Sequence, residues 1–406
     1  MAQESLWDGV AAMPADAIFS IAAQAKKAQE PKADLIIGAY RDAEGRPYPL
    51  RVVRKAERRL LDMNVDKEYL PMAGFAPFIE ESIKLVYGDS VTREKVVGAQ
   101  GLSGTGSLCL GAFFLSHALS PRPPVYISDP TWPNHYAVMA AAGMTDLRQY
   151  RYYDAARCGL DFDGLMADLG AAPAGSVVIL HACAHNPTGV DPTHKQWAEI
   201  AKLFKARRLI PFFDSAYQGY ATGNLENDAY AVRLFARQGM EMLVAQSYSK
   251  NMGLYSERVG VCSVVTASPA KACVIKSQFE HIARSLYSSP PSHGARVAHL
   301  VLSDPELRAE WEEELRGMSQ RVQEMRHDVY NGLKQRGTPG SWEHVIKQVG
   351  MFSYLGLTRA QCERLIEKRV FVLKSSRANM ASLTKGTVEL LVDAIDDVVR
   401  NGNASL

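Results

Sequence analysis

Lys250 and Arg258 are the residues of this chain whose types and spacing suggest chemistry most directly. Lys250 lies in the run Ser247-Tyr248-Ser249-Lys250-Asn251-Met252-Gly253, and Arg258 follows at short range. The apolar runs 242–245 and 259–265 on either side predict two strands, which places Lys250 on a polar turn at the edge of a sheet. An amine attacks a carbonyl carbon only when unprotonated, and burial beside a cation lowers a lysine's pKa toward that state. Arg258 supplies the cation, and its planar fork also suits a phosphate. The pair could equally be two of the 46 lysines and arginines flanking an ordinary hairpin, because short motifs match by chance.

Further constellations bear on this lysine. Gly101-Leu102-Ser103-Gly104-Thr105-Gly106 follows a strand-like run and opens an apolar helical one. Backbone N–H groups at a helix start, with hydroxyls beside them, make an anion site. No Gly-Lys-Ser/Thr follows, so this is not a P-loop. The glycine spacing misses that of a dinucleotide fingerprint, although Asp129 lies where a ribose-binding acid could sit. A turn that only lets the helix pack closely is the alternative.

Asp214 ends the run 209–213, with Tyr217 one helical turn beyond. A carboxylate at a strand's carboxyl end can keep a pyridinium nitrogen protonated, which makes such a ring an electron sink. It can also be a plain helix cap. His181, Cys183 and His185 alternate as zinc ligands on a strand would. The turn Asn186-Pro187-Thr188-Gly189 follows with no fourth ligand evident, so no metal is expected and Asn186 is read as a hydrogen-bond donor to a ring oxygen. Ser103 lacks the last glycine of a nucleophile elbow, which leaves a serine hydrolase little support.

These residues need a scaffold. Strand-like runs at 96–99, 125–128, 147–152, 177–180, 210–213, 242–245 and 259–265 alternate with helical segments such as 108–119 and 197–206. That alternation predicts an α/β layer with a mostly parallel sheet, whose ligands gather at the carboxyl ends of the strands. Before it come a helix opened by Pro14, a short run at 35–39, a loop at 41–50, a helix at 52–61 and a loop around Tyr69. After it come a long helical stretch at about 292–336, a run at 351–355, a helix at 359–368, a strand at 370–373 and a closing helix with Val388, Leu391, Ile395 and Val398 on one face.

Composition bounds the partners. At 406 residues the chain exceeds what one core usually serves, so two packed units are expected. The 46 basic residues nearly balance 44 acidic ones, with no block of like charge, which gives nucleic-acid binding little support. The six cysteines, irregularly spaced and without a C-x-x-C pair, fit reduced thiols in an intracellular protein. No apolar run reaches membrane-spanning length, and the N-terminal residues lack signal- or transit-peptide character. A cytoplasmic location is therefore expected, with no membrane association.

Taken together, the sequences at 247–260, at 181–189 (His-Ala-Cys-Ala-His-Asn-Pro-Thr-Gly) and at 103–106 (Ser-Gly-Thr-Gly), with the late Ser375-Ser376-Arg377, resemble the aspartate aminotransferases. These are class I aminotransferases with the type I pyridoxal-phosphate fold. The resemblance runs in order over nearly the whole chain. It implies a large domain with a mostly parallel seven-stranded sheet flanked by helices, plus a smaller α/β domain built from both chain ends. The implied boundaries are an N-terminal arm through residue 13, the small domain at 14–44 and 313–406, and the large domain at 45–312.

The resemblance also implies roles. Lys250 would hold pyridoxal 5'-phosphate as a Schiff base and later move the substrate proton. Asp214, oriented by His135, would pair with the ring nitrogen, Tyr217 and Asn186 would bond the ring oxygen, and Trp132 would stack on the ring face. Ser103, Gly104, Thr105, Ser247 and Arg258 would take the phosphate, joined by Tyr69 of the partner subunit. Arg377 would clamp the substrate α-carboxylate beside Gly38, Trp132 and Asn186, and Arg284 of the partner subunit would take a side-chain carboxylate.

The implied activity belongs to a homodimer with shared active sites. It moves an amino group between aspartate and 2-oxoglutarate, giving oxaloacetate and glutamate by a ping-pong cycle. The chain departs from the family at Ser289, where asparagine is usual, at Pro133 for glycine and at Tyr248 for phenylalanine. Acceptance of aromatic amino acids beside the dicarboxylic ones is therefore expected. Two alternatives stay open on the residues alone: a nicotinamide dehydrogenase using residues 101–106 and Asp129, and a binding protein of the same fold without turnover.

Overall fold

The structure, a computed structural model, describes residues 5–13 and 17–401. All seven expected strands form, and they make one sheet in the order Val96–Leu102, Val259–Val265, Met242–Ser247, Ile210–Ser215, Val177–His181, Val125–Asp129, Leu147–Arg151. Six run in one direction and Val259–Val265 runs against them. Register brings His181 opposite Asp214 and Ser247 opposite Gly260, so chemistry-bearing side chains end at one level.

The central strands are buried on both faces, as parallel sheets covered by helices require. Because successive residues of a strand point to opposite faces, neighbours feed different cores. Phe212, Leu243 and Cys262 pack with Leu108, Phe114 and Phe279 from the helices Ser103–Ala118 and Pro269–Tyr287. Phe213, Val244 and Val261 pack on the other side with Trp197, Phe204, Phe235 and Trp311.

The two ends of the chain meet beyond this sheet. Ala33–Asp34 pairs parallel with Val370–Phe371, and Phe352–Tyr354 pairs antiparallel with Arg377–Asn379. The helix Lys385–Arg400 packs against the helix Pro305–Gln335. The stretch expected to be helical at 292–336 divides into His293–Ser303 and Pro305–Gln335. The break is local chemistry: Asp304 Oδ1 accepts from the N–H groups of Glu306 and Leu307, and Pro305 takes the first helical position, where a missing N–H costs nothing.

The first helix runs Ala17–Lys27, and Pro14 lies outside the described residues. Helices that strand and helix periodicity did not reveal include Ala76–Tyr87 and Pro269–Tyr287. No helix among the described residues is long and apolar enough to cross a membrane.

Candidate active site

The parallel strands deliver their loops to one cavity of about 220 Å³. Ile210–Ser215 carries Asp214 at its carboxyl end, and Tyr217 sits in the turn that follows. Val177–His181 leads to Asn186, Val125–Asp129 to Trp132, and Met242–Ser247 to Lys250. Val96–Leu102 runs straight into the helix Ser103–Ala118, whose first turn supplies Ser103, Gly104 and Thr105. Gly38 and Arg377 close the cavity from the joined chain ends.

Lys250 stands with its Nζ 5.5 Å over the Tyr217 ring. Burial lowers its pKa, and the nearby charges of Arg258 and Arg377 push the same way, against the pull of Asp214. The result favours the neutral amine, the form that attacks a carbonyl. Asp214 goes the other way. Burial alone would raise it, but a hydrogen bond from His135 and the charges of His135, His181 and Lys250 hold it below the usual carboxylate range.

A polar chain behind the site fixes that carboxylate. His135 is fully buried, with its Nε2 3.1 Å from Asp214 Oδ2 and its Nδ1 2.8 Å from Thr131 Oγ1. The same threonine oxygen lies 3.2 Å from His181 Nε2. His185, which alternates with His181 in the sequence, is committed to Ser128 and Thr188 at 3.0 and 2.8 Å. Thr131 and the role of His181 were missed at the level of sequence, since a lone threonine beside a proline signals nothing there.

Two places suit anions. At the first, Ser103 Oγ lies 2.9 Å from Ser247 Oγ and 2.7 Å from Ser249 Oγ, all three residues being buried at the start of the helix Ser103–Ala118 with Arg258 at the rim. Hydroxyls, unsatisfied helix N–H groups and a guanidinium form a phosphate seat. At the second, Arg377 is 4% exposed and its guanidinium lies 4.0 Å from the Phe352 ring centroid. Its Nη2 donates to the Ile36 carbonyl at 2.8 Å, its Nη1 to Asn186 Oδ1 at 3.4 Å, and its Nε has no partner among the described residues. Burial pushes its pKa down to about 10. An incompletely satisfied cation facing a cavity suits a carboxylate.

The cavity thus gathers Ser103, Gly104, Thr105, Trp132, Asn186, Asp214, Tyr217, Ser247, Lys250, Arg258, Gly38 and Arg377, with His135 behind Asp214. A phosphate-bearing pyridine fits this donor set, with hydroxyls at one end, a carboxylate at the other and an amine between. Tyr69 and Arg284 do not line it. Tyr69 is 91% exposed, and Arg284 lies on the surface with its Nη1 donating to Ser288. Tyr248 faces away from the cavity, its ring 5.2 Å from Phe78 and its hydroxyl on Ser82. Phe352 and Ile37 line the cavity and were not singled out, because an aromatic or aliphatic residue in an apolar run looks like core.

Residues 30–395 match the aminotransferase class I and II family. A solved aspartate aminotransferase from Trypanosoma cruzi is 74% identical, with a TM-score of 0.92 over 98% of this chain and 100% of that one. A curated cytoplasmic aspartate aminotransferase from Oryza sativa subsp. japonica is 46% identical over 98% of this chain and 99% of its own length. A solved aromatic-amino-acid aminotransferase from Burkholderia pseudomallei, covalently bound to pyridoxal phosphate, is 40% identical, with a TM-score of 0.94 and coverage of 98% and 100%. With a fold and a sequence that agree with these relatives over almost the whole length, the chain belongs to the class I and II aminotransferases, enzymes that work with pyridoxal phosphate.

Proposed function

We propose that this enzyme is an aspartate aminotransferase, moving an amino group between aspartate and 2-oxoglutarate with oxaloacetate and glutamate as the other pair. The observation that carries the reading is one cavity holding a buried amine, Lys250, a carboxylate, Asp214, and a buried arginine, Arg377, whose donors are only partly used.

Bound pyridoxal phosphate supplies an aldehyde that condenses with amines and a ring that accepts the electron pair left on the substrate α-carbon. Ser103, Gly104, Thr105, Ser247 and Arg258 take its phosphate. Asp214, held ionised by His135, keeps the ring nitrogen protonated. Tyr217 and Asn186 bond the ring oxygen, and Trp132 covers one ring face. Lys250, its pKa lowered, would take the proton from the substrate α-carbon and hold it for return. Arg377 binds the α-carboxylate common to both substrates, with Gly38 leaving room beside it. One clamp would serve both substrates in turn, so the first oxo acid would have to leave before the second enters.

A homodimer completes the site in this reading. Leu6, Trp7, Val10, Met13 and Tyr69 are each more than two-thirds exposed, a set of apolar and aromatic side chains that a second copy would cover. Tyr69 of the partner subunit reaches the phosphate, and Arg284 of the partner subunit takes the side-chain carboxylate. Boundaries at 14–44, 45–312 and 313–406 follow, with an arm through residue 13. The helix Pro305–Gln335 then belongs to both domains, which suits a rigid connection between them. The cytoplasmic rice relative supports a cytoplasmic location, and the Burkholderia relative supports some acceptance of aromatic amino acids.

The deciding experiment is a visible absorption spectrum of the purified protein supplied with pyridoxal phosphate. A yellow band that vanishes with aspartate and returns with 2-oxoglutarate is expected. A protein that stays colourless, or a band indifferent to aspartate, overturns the reading. Sedimentation of the active species tests the dimer, and an active monomer would refute shared sites.

A further inference from the structure

Arg326 lines no part of the cavity, yet it holds one of its walls. It is fully buried in the helix Pro305–Gln335, and among the described residues no carboxylate pairs with it. Its Nη1 donates to the Val345 carbonyl at 2.9 Å, and its Nη2 to the carbonyls of Gly350 and Phe352 at 2.8 and 2.6 Å. Burial pushes its pKa down to about 9. A guanidinium stays in such surroundings when its donors are used, and here both terminal nitrogens, though not Nε, are spent on one stretch, residues 345–352, which runs from the helix Glu343–Lys347 into the strand Phe352–Tyr354.

That segment touches the site from two sides. The Phe352 ring lies under the Arg377 guanidinium at 4.0 Å and so near Gly38 that a Cβ added there would meet it at 2.7 Å. On the other flank the Val349 N–H donates to the Gly189 carbonyl at 2.8 Å, and a Cβ on Gly189 would stand 2.7 Å from the Phe352 carbonyl. Gly189 ends the turn that carries Asn186, and Asn186 Oδ1 accepts from Arg377. Loosening the segment therefore frees the ring beneath Arg377 and the turn beside it together.

We propose that Arg326 is a positioning residue for carboxylate recognition: through the Gly350 and Phe352 carbonyls it fixes the Phe352 ring, and through that ring the place Arg377 occupies in the cavity. This rests on the reading of Arg377 as the α-carboxylate clamp. Since both substrate pairs present that carboxylate, the effect falls alike on amino acids and oxo acids. It leaves the phosphate seat and Lys250, which stand on other loops, unchanged.

The test uses cofactor-loaded Arg326→Gln, Arg326→Lys and Phe352→Leu, with Arg377→Ala as reference. KM and kcat are measured for aspartate and 2-oxoglutarate, along with the affinity for succinate, a dicarboxylate that cannot react. Arg326→Gln should raise KM for both substrates about tenfold, the scale of a small misplacement of a binding group, and weaken succinate alike. The change in kcat should stay within about threefold, the mark of lost uniform binding, and cofactor affinity should not move. Arg326→Lys should recover part of the loss, and Arg326→Gln should add almost nothing in an Arg377→Ala background.

If Arg326→Gln does not fold, Phe352→Leu and Arg326→Lys decide, with the same signature expected in milder form. Unchanged KM and succinate affinity in the folded variants overturn the proposal, as does a fall in cofactor affinity that accompanies the rise in KM. An Arg377→Ala enzyme with unchanged KM instead removes the clamp reading, and the proposal with it. Arg377→Ala impaired beside an unaffected Arg326→Gln removes the proposal alone.

Discussion

Arg377 and Arg326 are both buried, both without a carboxylate partner among the described residues, and both lowered in pKa by burial. What separates them is where their donors go. Arg326 spends its two terminal nitrogens on three backbone carbonyls, all within 2.9 Å, and lines no part of the cavity, while its Nε, like that of Arg377, has no partner among the described residues. Arg377 has one such bond at 2.8 Å, a longer one to Asn186 at 3.4 Å, and otherwise faces the cavity. Burial of a cation is therefore no sign of a ligand seat by itself. The sign is burial with donors left over beside a space that a ligand can enter.

The largest effect that bears on this contrast is catalytic. Arg377→Ala should cost about 3–5 kcal/mol in kcat/KM for every substrate, the scale of removing one partner from a buried charge pair. Arg284→Ala should lower kcat/KM for aspartate roughly a hundredfold while sparing an uncharged amino acid. Equal losses on the two substrates would mean that Arg284 does not read the side chain.

Stability should divide the arginines the other way. Arg326→Met leaves three buried carbonyls unpaired and should cost about 3 kcal/mol or more in denaturant unfolding. Arg377→Met, which removes a poorly satisfied charge, should stay within about 1 kcal/mol of the parent. Equal losses in the two variants would collapse the distinction between a brace and a seat.

Two buried carboxylates extend the same contrast to pH. Asp214 is kept low by His135 and the neighbouring cations, whereas Asp228 accepts, among the described residues, from Thr222 and Gly219 alone, and burial pushes its carboxyl up to about 7. Folded Asp228 thus keeps a proton that the unfolded chain, with an ordinary pKa of about 3.9, has released. Its contribution to stability falls as pH rises from about 4 to about 7. Asp228→Asn should remove that slope, so that the variant loses about 2 kcal/mol less than the parent between roughly pH 5 and pH 7. Parallel pH profiles for the two proteins would contradict this.

Much of this could be read from the chain before any coordinates. Six of the seven strands were legible as short apolar runs fenced by turn formers, the edge strand Leu147–Arg151 being mostly polar, and the covered sheet follows from their alternation with helices. The start of the helix Ser103–Ala118 was placed late, since Ser103, Gly104, Thr105 and Gly106 carry no apolar periodicity. Ala76–Tyr87 was not singled out although Phe78, Ile79, Ile83 and Val86 are buried on one side and Glu80, Glu81 and Lys84 lie on the other.

At the site, residues embedded in distinctive turns were legible, and residues whose importance lies in a distant contact were not. Phe352 matters because Arg377 and Gly38 meet its ring, and Arg326 because of three carbonyls far along the chain. No local pattern records such meetings.

The pairing of Ala33–Asp34 with Val370–Phe371 has a consequence for synthesis. The Ile36 carbonyl that anchors Arg377 is made early, and Arg377 itself very late. The seat for a carboxylate thus joins residues 341 positions apart, and only a chain with both stretches in place owns it.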